Sequence, residues 1–394
     1  MSLKLGGALR ATRTADPSAA PDIVSRIATA MDATDVVVYL IDFGQTTLEP
    51  IPDRNSHADL PRSEDVSTTM AGRAFSGRCT VTAPRPDGVR VWVPVIEGSD
   101  RTGVVALTVP DAGNDILEAC EELGILCGFL IATRTRTTDL YNLYRRRRAL
   151  SLAASIQWDL LPPLVLKTTR LTVACLLEPA YEAGGDSFDY ALNNATFDLA
   201  LFDAMGHELT AALIASLAVG SYRHDRRESR SLEYMHQNLD AAIAKQFPDA
   251  YATGLLARVD LDSGVLTWTN AAHPPPLLIR GGQVVRALEL RPTLPWGIAS
   301  MGQSTEVSLA SETLEPGDCV LLYTDGVTEG RMPGGERFGV ERIGDLIGQH
   351  ASNQLEPEEI IRRVSIAVMA HQADRLADDA TLVLFQWNGP PPQG

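Results

Sequence analysis

Cysteine is scarce in this sequence and follows no recognisable pattern. The 394 residues include five cysteines, an odd number, and no two of them have the Cys-x-x-Cys spacing of zinc sites and redox motifs. They are Cys79, Cys120, Cys127, Cys175 and Cys319. This usage argues against a disulfide framework and against a structural zinc site, and it is typical of reduced thiols in the cytoplasm.

Long apolar runs and an excess of basic residues are also lacking. The longest nearly apolar stretch, Leu209 to Gly220, is shorter than the ~20 residues that a membrane-spanning helix needs. The N-terminus has no continuous apolar core of the kind found in signal peptides. With 34 basic and 50 acidic residues the formal net charge is −16, which argues against general binding to nucleic acid or to anionic membranes. We expect a cytoplasmic protein that binds neither.

Glycine-rich phosphate loops are absent as well. Neither the P-loop pattern nor the Gly-x-Gly-x-x-Gly pattern occurs, so the glycine pair Gly184-Gly185 by itself marks only a turn. Cys79 and Arg85 have the spacing of cysteine phosphatases, but the residues between them include no glycine and lead into no predicted helix. We interpret that match as chance. The four consecutive arginines Arg145–Arg148 would point around a whole helix circumference, which favours a solvated surface over a nucleic-acid site.

Hydrophobic patterning divides the chain into two folded parts of the α+β class. Residues 1–20 show no strong periodicity and predict a leader without a fixed fold. Residues 21–135 combine one helical stretch with β-branched runs, and residues 136–163 predict a helical linker that ends at Pro162-Pro163. Residues 164–390 contain adjoining strand-like runs with helices grouped between them, a pattern typical of layered α+β domains.

The predicted strands and helices have defined bounds. Strand-like runs in the first part are Val36–Asp42, Val89–Val95 and Gly103–Val109. In the second part they are Leu171–Leu177, Phe197–Asp203, Leu255–Asp260, Val265–Asn270, Leu277–Arg280, Cys319–Thr324 and Thr381–Phe385. Helical patterns there cover Glu208–Tyr222, Leu232–Phe247, Gly339–Gln349 and Pro357–Gln372.

Acidic residues stand where several of these strands begin or end. Asp203 and Asp325 each close an apolar run, and Asp378 with Asp379 precedes another. If such strands pair antiparallel, these acids can reach one edge of a sheet. Asp186, after the glycine pair, is a further candidate. Two carboxylates about 4 Å apart repel each other by roughly 4 kcal/mol at an effective dielectric of about 20, so the cluster predicts a bound cation.

The residues around these acids favour oxygen ligation. Ala204 follows Asp203 and Gly326 follows Asp325, and small residues let a main-chain carbonyl approach an ion. All-oxygen coordination suits Mg²⁺ or Mn²⁺ and disfavours zinc. Any one of these acids, taken alone, is better explained as a helix cap or a solvated turn. Four acids in matching positions at strand ends reverse that preference and favour a metal site. His207 is interpreted as either a local hydrogen-bonding group or a proton carrier.

A series of short motifs resembles the SpoIIE-like (RsbU-type) branch of the metal-dependent PPM protein phosphatases. The matching motifs are Gln157-Trp-Asp-Leu-Leu-Pro-Pro163, Glu178-Pro-Ala180, Gly184-Gly-Asp-Ser-Phe-Asp189, Asp203-Ala-Met-Gly-His207, Ala211-Ala-Leu213, Asn270-Ala-Ala-His-Pro-Pro275, Leu314-Glu-Pro-Gly-Asp318, Tyr323-Thr-Asp-Gly-Val-Thr-Glu329, Phe338-Gly339 and Asp378-Asp-Ala-Thr381. The resemblance implies an αββα sandwich that removes phosphate from phosphoserine or phosphothreonine on a partner protein. The usual partners in that branch are anti-sigma-factor antagonists.

The same resemblance implies roles for individual residues. Asp203 would bridge two or more Mn²⁺ or Mg²⁺ ions, with the carbonyl of Ala204 beside it. Asp325 and Asp378 would be further ligands, and Asp186 would act directly or through water. Asp379 is adjacent to this set and stays open as a ligand.

The sequence departs from the family pattern at two positions. Glu208 and Ala272 stand where the family commonly has glycine. Glu208 adds negative charge close to the proposed ligands, which would strengthen metal binding or alter its geometry. A second hypothesis is a pseudophosphatase that only binds a phosphoprotein or another ligand. A third is a nucleic-acid-responsive regulator that uses Arg145–Arg148. His273 with the three prolines after it is explained by a rigid loop between two strands.

Residues 21–135 resemble a GAF sensor domain. The resemblance depends on Val36–Asp42, Gly72–Gly77 and Val91–Val95. It implies a small-molecule or protein ligand, control of the phosphatase by the sensor domain, and a homodimer formed through the helix that follows.

Overall fold

The computed structural model describes eight stretches of the chain. They are residues 15–53, 61–182, 184–206, 208–298, 306–330, 335–372, 376 and 378–390. The chain divides into two compact units, Met1–Ala149 and Leu150–Gly394. Most of the predicted leader lies outside the described residues. Its last residue, Ala20, begins a helix and is completely buried.

The first unit is a six-stranded sheet with helices on both faces. Its elements are α1 (Ala20–Thr29), β1 (Thr34–Ile41), β2 (Thr47–Ile51), β3 (Glu64–Asp65), α2 (Met70–Gly77), β4 (Val81–Arg85), β5 (Gly88–Glu97), β6 (Asp100–Val109), α3 (Asn114–Arg134), a 3₁₀ helix (Thr135–Thr137) and α4 (Leu140–Tyr144). The strand order is β3-β2-β1-β6-β5-β4, and neighbouring strands are antiparallel.

Side chains alternate between the two faces of this sheet because successive residues of a strand point in opposite directions. On β6, Val105 and Leu107 pack with the residues of α1 and α3, whereas Val104 and Ala106 pack with Phe75 of α2. The predicted α+β class of this unit is confirmed. Its assignment as a GAF domain stays a prediction.

The predicted connecting helix is interrupted in the structure. After α4 the chain leaves the helical conformation through the arginine run and re-enters it in α5 (Leu152–Leu160). Arg145 turns back on its own unit, where its Nε donates to the carbonyl of Ile41 at 2.9 Å and its guanidinium stacks on Phe43 at 4.5 Å. Ser151 then caps α5 by accepting from the amide of Ala154. These local bonds outweigh the helical periodicity of the sequence.

The second unit contains two antiparallel sheets. Its elements after α5 are β7 (Val165–Lys167), β8 (Leu171–Glu178), β9 (Asp186–Asn193), β10 (Thr196–Ala204), α6 (Glu208–Arg227), α7 (Leu232–Gln246), β11 (Ala252–Asp260), β12 (Val265–Ala271), β13 (Leu277–Arg280), β14 (Gln283–Ala287), β15 (Ala310–Thr313), β16 (Cys319–Tyr323), α8 (Asp325–Glu329), α9 (Val340–Ser352), α10 (Pro357–His371) and β17 (Ala380–Trp387). Sheet I has the order β15-β12-β11-β10-β9, and sheet II has the order β14-β13-β16-β17-β8-β7.

The two sheets face each other and each carries a layer of helices on its outer face. Phe197 of sheet I and Phe385 of sheet II meet edge to face between the sheets, with ring centroids 5.6 Å apart. The outer face of sheet I packs on α6 and α7 around Phe202 and Trp296, and that of sheet II packs on α9 and α10. The predicted αββα sandwich is therefore confirmed. Within the described residues, no helix combines the length and apolar character that crossing a bilayer requires.

A buried ion pair fixes α6 to sheet I. The Asp189 carboxylate on β9 is 1% exposed and accepts from Arg223 at 2.6 Å and from Arg226 at 2.7 Å. Arg223 also donates to the carbonyl of Leu160 at the end of α5. One aspartate thus links the first helix after Asp203 to the helix that begins the unit.

We predict that Asp189→Ala destabilises the second unit. The change leaves the buried guanidinium of Arg226 without its carboxylate, and such losses cost about 3 kcal/mol or more. The matched control is Asp262→Ala, which removes an exposed partner of Arg170 and should cost less than about 1 kcal/mol. Urea unfolding followed by tryptophan fluorescence measures both. Equal shifts of the two midpoints would contradict the anchoring role.

Candidate metal centre

The predicted acids come from both sheets of the sandwich. On sheet I, Asp186 at the start of β9 is paired directly with Asp203 near the end of β10. On sheet II, Asp325 begins α8 just after β16, and Asp378 lies just before β17, the strand that pairs with β16. The expectation that the acids share the edge of a single sheet was wrong, because β10 and β16 belong to different sheets.

The carboxylates of the two sheets nevertheless affect one another. Burial first, and then the negative charges of Asp325 and Asp378, raise the pKa of Asp203 to about 7. Asp325 is exposed at the surface, yet partial desolvation raises its pKa, with added contributions from Asp378 and Glu329. A carboxylate at the end of sheet I is therefore close enough to those of sheet II for their charges to repel. The pairing of Asp203 with Asp186, and the bonds from Thr324 and Thr381 to Asp186, place Asp203, Asp325 and Asp378 at the same end of the sandwich.

Asp186 is the most deeply placed of the acids. Its side chain is 2% exposed, and its Oδ2 accepts from the hydroxyls of Thr324 at 2.6 Å and Thr381 at 2.7 Å. Both threonines belong to the ends of sheet II strands, so this carboxylate joins the two sheets. Burial, then Asp203 and Asp379, raise the pKa of Asp186, while the two hydroxyl bonds lower it. One carboxylate oxygen, Oδ1, is left for another interaction.

The Asp379 carboxylate holds the turn that leads into β9. Its Oδ2 accepts from the backbone amides of Gly184 at 2.7 Å, Gly185 at 2.6 Å and Asp186 at 3.1 Å. Three amide donors on one oxygen shape the turn that leads into β9. Gly185 is required there because a Cβ atom would lie 2.4 Å from the carbonyl oxygen of Ala204. The glycine pair thus forms a turn, as the sequence predicts. It also lets the carbonyl of Ala204 lie close to the backbone of Gly185.

Gly326 permits a close contact within the protein. A Cβ atom at this position would lie 1.9 Å from the carbonyl oxygen of Asp379, and the Gly326 carbonyl accepts from Gln372 at 3.2 Å. The sequence pattern predicts that Gly326 lets an ion approach the backbone. The structure gives a different reason, which is that the first turn of α8 packs against the start of β17 and so fixes the backbone of Asp325.

The chemistry of this cluster fits a hard divalent cation. Among the residues described, no Lys, Arg or His side chain forms an ion pair with any of the five acids. Several carboxylates without a cationic partner are stabilised when a metal neutralises them, and oxygen donors of this kind suit Mg²⁺ or Mn²⁺. Within the same residues, no three Asp, Glu, His or Cys side chains already stand in a metal-binding arrangement.

The threonines of this site were not predicted from the sequence. Thr253, Thr324 and Thr381 contact the acids through their hydroxyl oxygens. Thr324 and Thr381 were visible in the motifs around Asp325 and Asp379, where each lies within two residues of an acid. Thr253 carries no such local signal, because it reaches Asp203 only through the pairing of β10 with β11.

Both departures from the family pattern fall on unusual backbone conformations. Glu208 has φ 66° and Ala272 has φ 51°, in the left-handed region where glycine is favoured. Neither residue has a side chain suited to that region, so both positions are strained. The glycine preference of the family at these positions is explained by backbone geometry. His207 lies outside the described residues.

We predict that Ala272→Gly stabilises the protein. Relief of the left-handed strain, offset by the greater freedom of glycine in the unfolded chain, should raise the free energy of unfolding by about 1 kcal/mol. The control is Ala271→Gly, at a buried residue of β12 with ordinary strand geometry, which should destabilise. Thermal unfolding of both variants tests this, and a loss of stability in Ala272→Gly would contradict it.

Comparisons with known proteins agree with the motifs. Residues 193–388 match the family described as Stage II sporulation protein E (SpoIIE). The chain is 24% identical to phosphoserine phosphatase RsbU of Bacillus subtilis over 248 residues, which cover 60% of this chain and 69% of that protein. Phosphoserine phosphatase RsbP of the same organism is 24% identical over 190 residues, covering 46% of each protein.

Among solved structures, the RsbU and RsbW domains of a Mycobacterium tuberculosis protein are 26% identical with a TM-score of 0.49. That match covers 57% of this chain and 63% of theirs. The segment that matches the SpoIIE family, residues 193–388, contains β10, β16 and β17. The ends of these strands place Asp203, Asp325 and Asp378. Residues 193–388 of this chain therefore form a SpoIIE-family domain of the PPM phosphatase type, homologous to RsbU.

Proposed function

We propose that this protein is a divalent-metal-dependent phosphatase that acts on phosphoserine or phosphothreonine of a partner protein. The observation that carries the proposal is the meeting of acids from both sheets at one end of the sandwich, where Asp203 is paired with Asp186 and Asp186 accepts from Thr324 and Thr381 of sheet II. Folding brings together acids more than 100 residues apart against their mutual repulsion, and no described basic side chain compensates it. The names of RsbU and RsbP as phosphoserine phosphatases support the substrate class.

In this proposal each acid has a definite task. Asp203, Asp325 and Asp378, with the carbonyl of Ala204, hold two or more Mn²⁺ or Mg²⁺ ions, and Asp186 contributes directly or through water. Bound divalent ions supply the positive charge that acidifies a water molecule and neutralises phosphoryl oxygens. The protein itself contributes the orientation of the acids. Asp379 supports it by holding the turn that presents Asp186.

The proposed setting is a cytoplasmic signalling protein. We propose that the phosphorylated partner is an anti-sigma-factor antagonist, that residues 164–390 carry the phosphatase domain, and that residues 21–135 are a GAF-like sensor domain controlling it within a homodimer. Residues 136–163 would connect the two domains. The six-stranded sheet with helices on both faces supports the sensor assignment.

A pseudophosphatase is the alternative, and two observations favour it. No described group of three potential ligands stands ready for a metal, and Glu208 adds a negative charge at the first residue of α6. In that case the domain would bind a phosphoprotein or another ligand without hydrolysing it. Calorimetric titration separates the two functions, since a pseudophosphatase would bind a phosphoserine peptide but bind Mn²⁺ weakly or not at all.

We predict that Asp203→Asn and Asp325→Asn each lower kcat on a synthetic phosphoserine peptide in Mn²⁺ by about 100-fold or more, because each removes a charge that holds the metal. Phosphate release measures this. Asp262→Asn is the matched control and should keep wild-type kcat, since its carboxylate is on the exposed turn after β11, at the end of β10 and β11 opposite to Asp203. Full activity in both site variants would refute the proposed site.

We also predict that Mn²⁺ stabilises the protein. Repulsion among the acids is relieved only when the metal binds the folded state, so saturation at about 100 times the dissociation constant adds about 2.7 kcal/mol to the free energy of unfolding. Differential scanning calorimetry should show a higher Tm in Mn²⁺ that EDTA reverses. Asp203→Asn should show little or no increase. The same increase in wild type and variant would place the metal elsewhere.

A further inference from the structure

A buried histidine links the two sheets beside the acids. His273 is 6% exposed and stands just after β12 of sheet I. Its Nδ1 lies 3.1 Å from the hydroxyl of Thr253, and its Nε2 lies 3.1 Å from the carbonyl oxygen of Tyr323 at the end of β16. Asn270 holds the histidine backbone in place through two hydrogen bonds of 2.8 Å. The ring therefore bridges sheet I and sheet II.

Each end of this bridge lies next to a proposed metal ligand. Thr253 on β11 is paired with Asp203 on β10, and its hydroxyl oxygen is 3.4 Å from Asp203 Oδ2. Tyr323 precedes Asp325 by two residues. The imidazole of His273 thus connects Thr253, the neighbour of Asp203, with the end of β16, which leads to Asp325.

The hydrogen bonds define which nitrogen carries the proton. The Tyr323 carbonyl has no hydrogen to give, so Nε2 must be the donor. Burial lowers the pKa of His273 to about 4, which keeps the ring neutral and leaves Nδ1 as an acceptor. The single hydroxyl hydrogen of Thr253 is shared between Nδ1 of His273 at 3.1 Å and Oδ2 of Asp203 at 3.4 Å. The Thr253 hydroxyl therefore connects the ring of His273 to the carboxylate of Asp203.

We propose that His273 and Thr253 are positioning residues that fix the spacing between Asp203 and Asp325 for a bound divalent ion. This inference rests on the proposed function. The bridge restricts the strand ends of two separate sheets, and it fixes the Thr253 hydroxyl beside the Asp203 carboxylate. Partners that orient metal ligands in this way typically change metal affinity by about 10-fold to 100-fold when they are removed.

The protein contains a second buried histidine that serves as an internal comparison. His236 on α7 has Nδ1 3.2 Å from the hydroxyl of Thr269 and Nε2 3.0 Å from that of Thr293. Burial lowers its pKa to about 4 as well. Neither threonine contacts a proposed ligand. The pair Thr269 and His236 therefore repeats the chemistry of Thr253 and His273 without the connection to the acids.

The experiment compares full-length variants by Mn²⁺ calorimetry, by kcat and KM on a phosphoserine peptide, and by thermal unfolding. Thr253→Val keeps the shape and removes the hydroxyl, and we expect its Mn²⁺ affinity to fall by about 10-fold or more. Thr253→Ser restores the hydroxyl and should restore most of the affinity. Thr269→Val should lose about as much stability as Thr253→Val, about 1 kcal/mol, and keep wild-type Mn²⁺ affinity.

His273 is tested in the same way. His273→Leu, which can neither donate to Tyr323 nor accept from Thr253, should bind Mn²⁺ as weakly as Thr253→Val. His273→Gln has one donor and one acceptor and should recover part of the affinity. Unchanged Mn²⁺ affinity in Thr253→Val, or an equal loss in Thr269→Val, would overturn the positioning role. A wild-type protein that neither binds Mn²⁺ nor releases phosphate would instead refute the proposed function, and the inference with it.

Discussion

The second unit depends on keeping negative charges together at one end of two facing sheets. Asp203, Asp325 and Asp378 repel one another, and burial makes the ionised form of Asp203 still less favourable. The fold opposes this repulsion with directed hydrogen bonds. Two threonine hydroxyls bind Asp186, and three backbone amides bind Asp379. The hydrophobic core between the sheets then holds the strand ends in register.

The acids around the site have separate roles, although they are chemically alike. Asp186 and Asp379 are largely occupied by hydrogen bonds within the protein, whereas Asp325 and Asp378 are exposed. Asp203 lies between these two groups and is affected by both. The carboxylates thus range from buried and hydrogen-bonded to exposed. In such a site the buried acids maintain the geometry, and the exposed acids meet an ion that arrives from solvent.

Local patterns in the sequence predict much of this arrangement. The strands that contain Asp203 and precede Asp325 follow from apolar runs, and the αββα layers follow from the family motifs. The strand β9 was missed because its inner positions include Asp186, Ser187 and Asp189, which no alternation rule assigns to a core. Their burial depends on partners far along the chain, namely Thr324, Thr381 and the α6 arginines. Likewise, the assignment of β10 and β16 to different sheets requires tertiary pairing that no local pattern encodes.

The three amide bonds accepted by Asp379 also affect the order in which the site can form during synthesis. Asp379 and Asp186 are 193 residues apart, and Asp186 needs Thr381 on β17 as well. Until the ribosome has released β17, the glycine turn has no acceptor for its amides, and sheet II has a gap between β8 and β16. A nascent chain that has folded sheet I alone would present only part of the acid cluster. The competent site therefore arises late, when the central strand of sheet II enters between its neighbours.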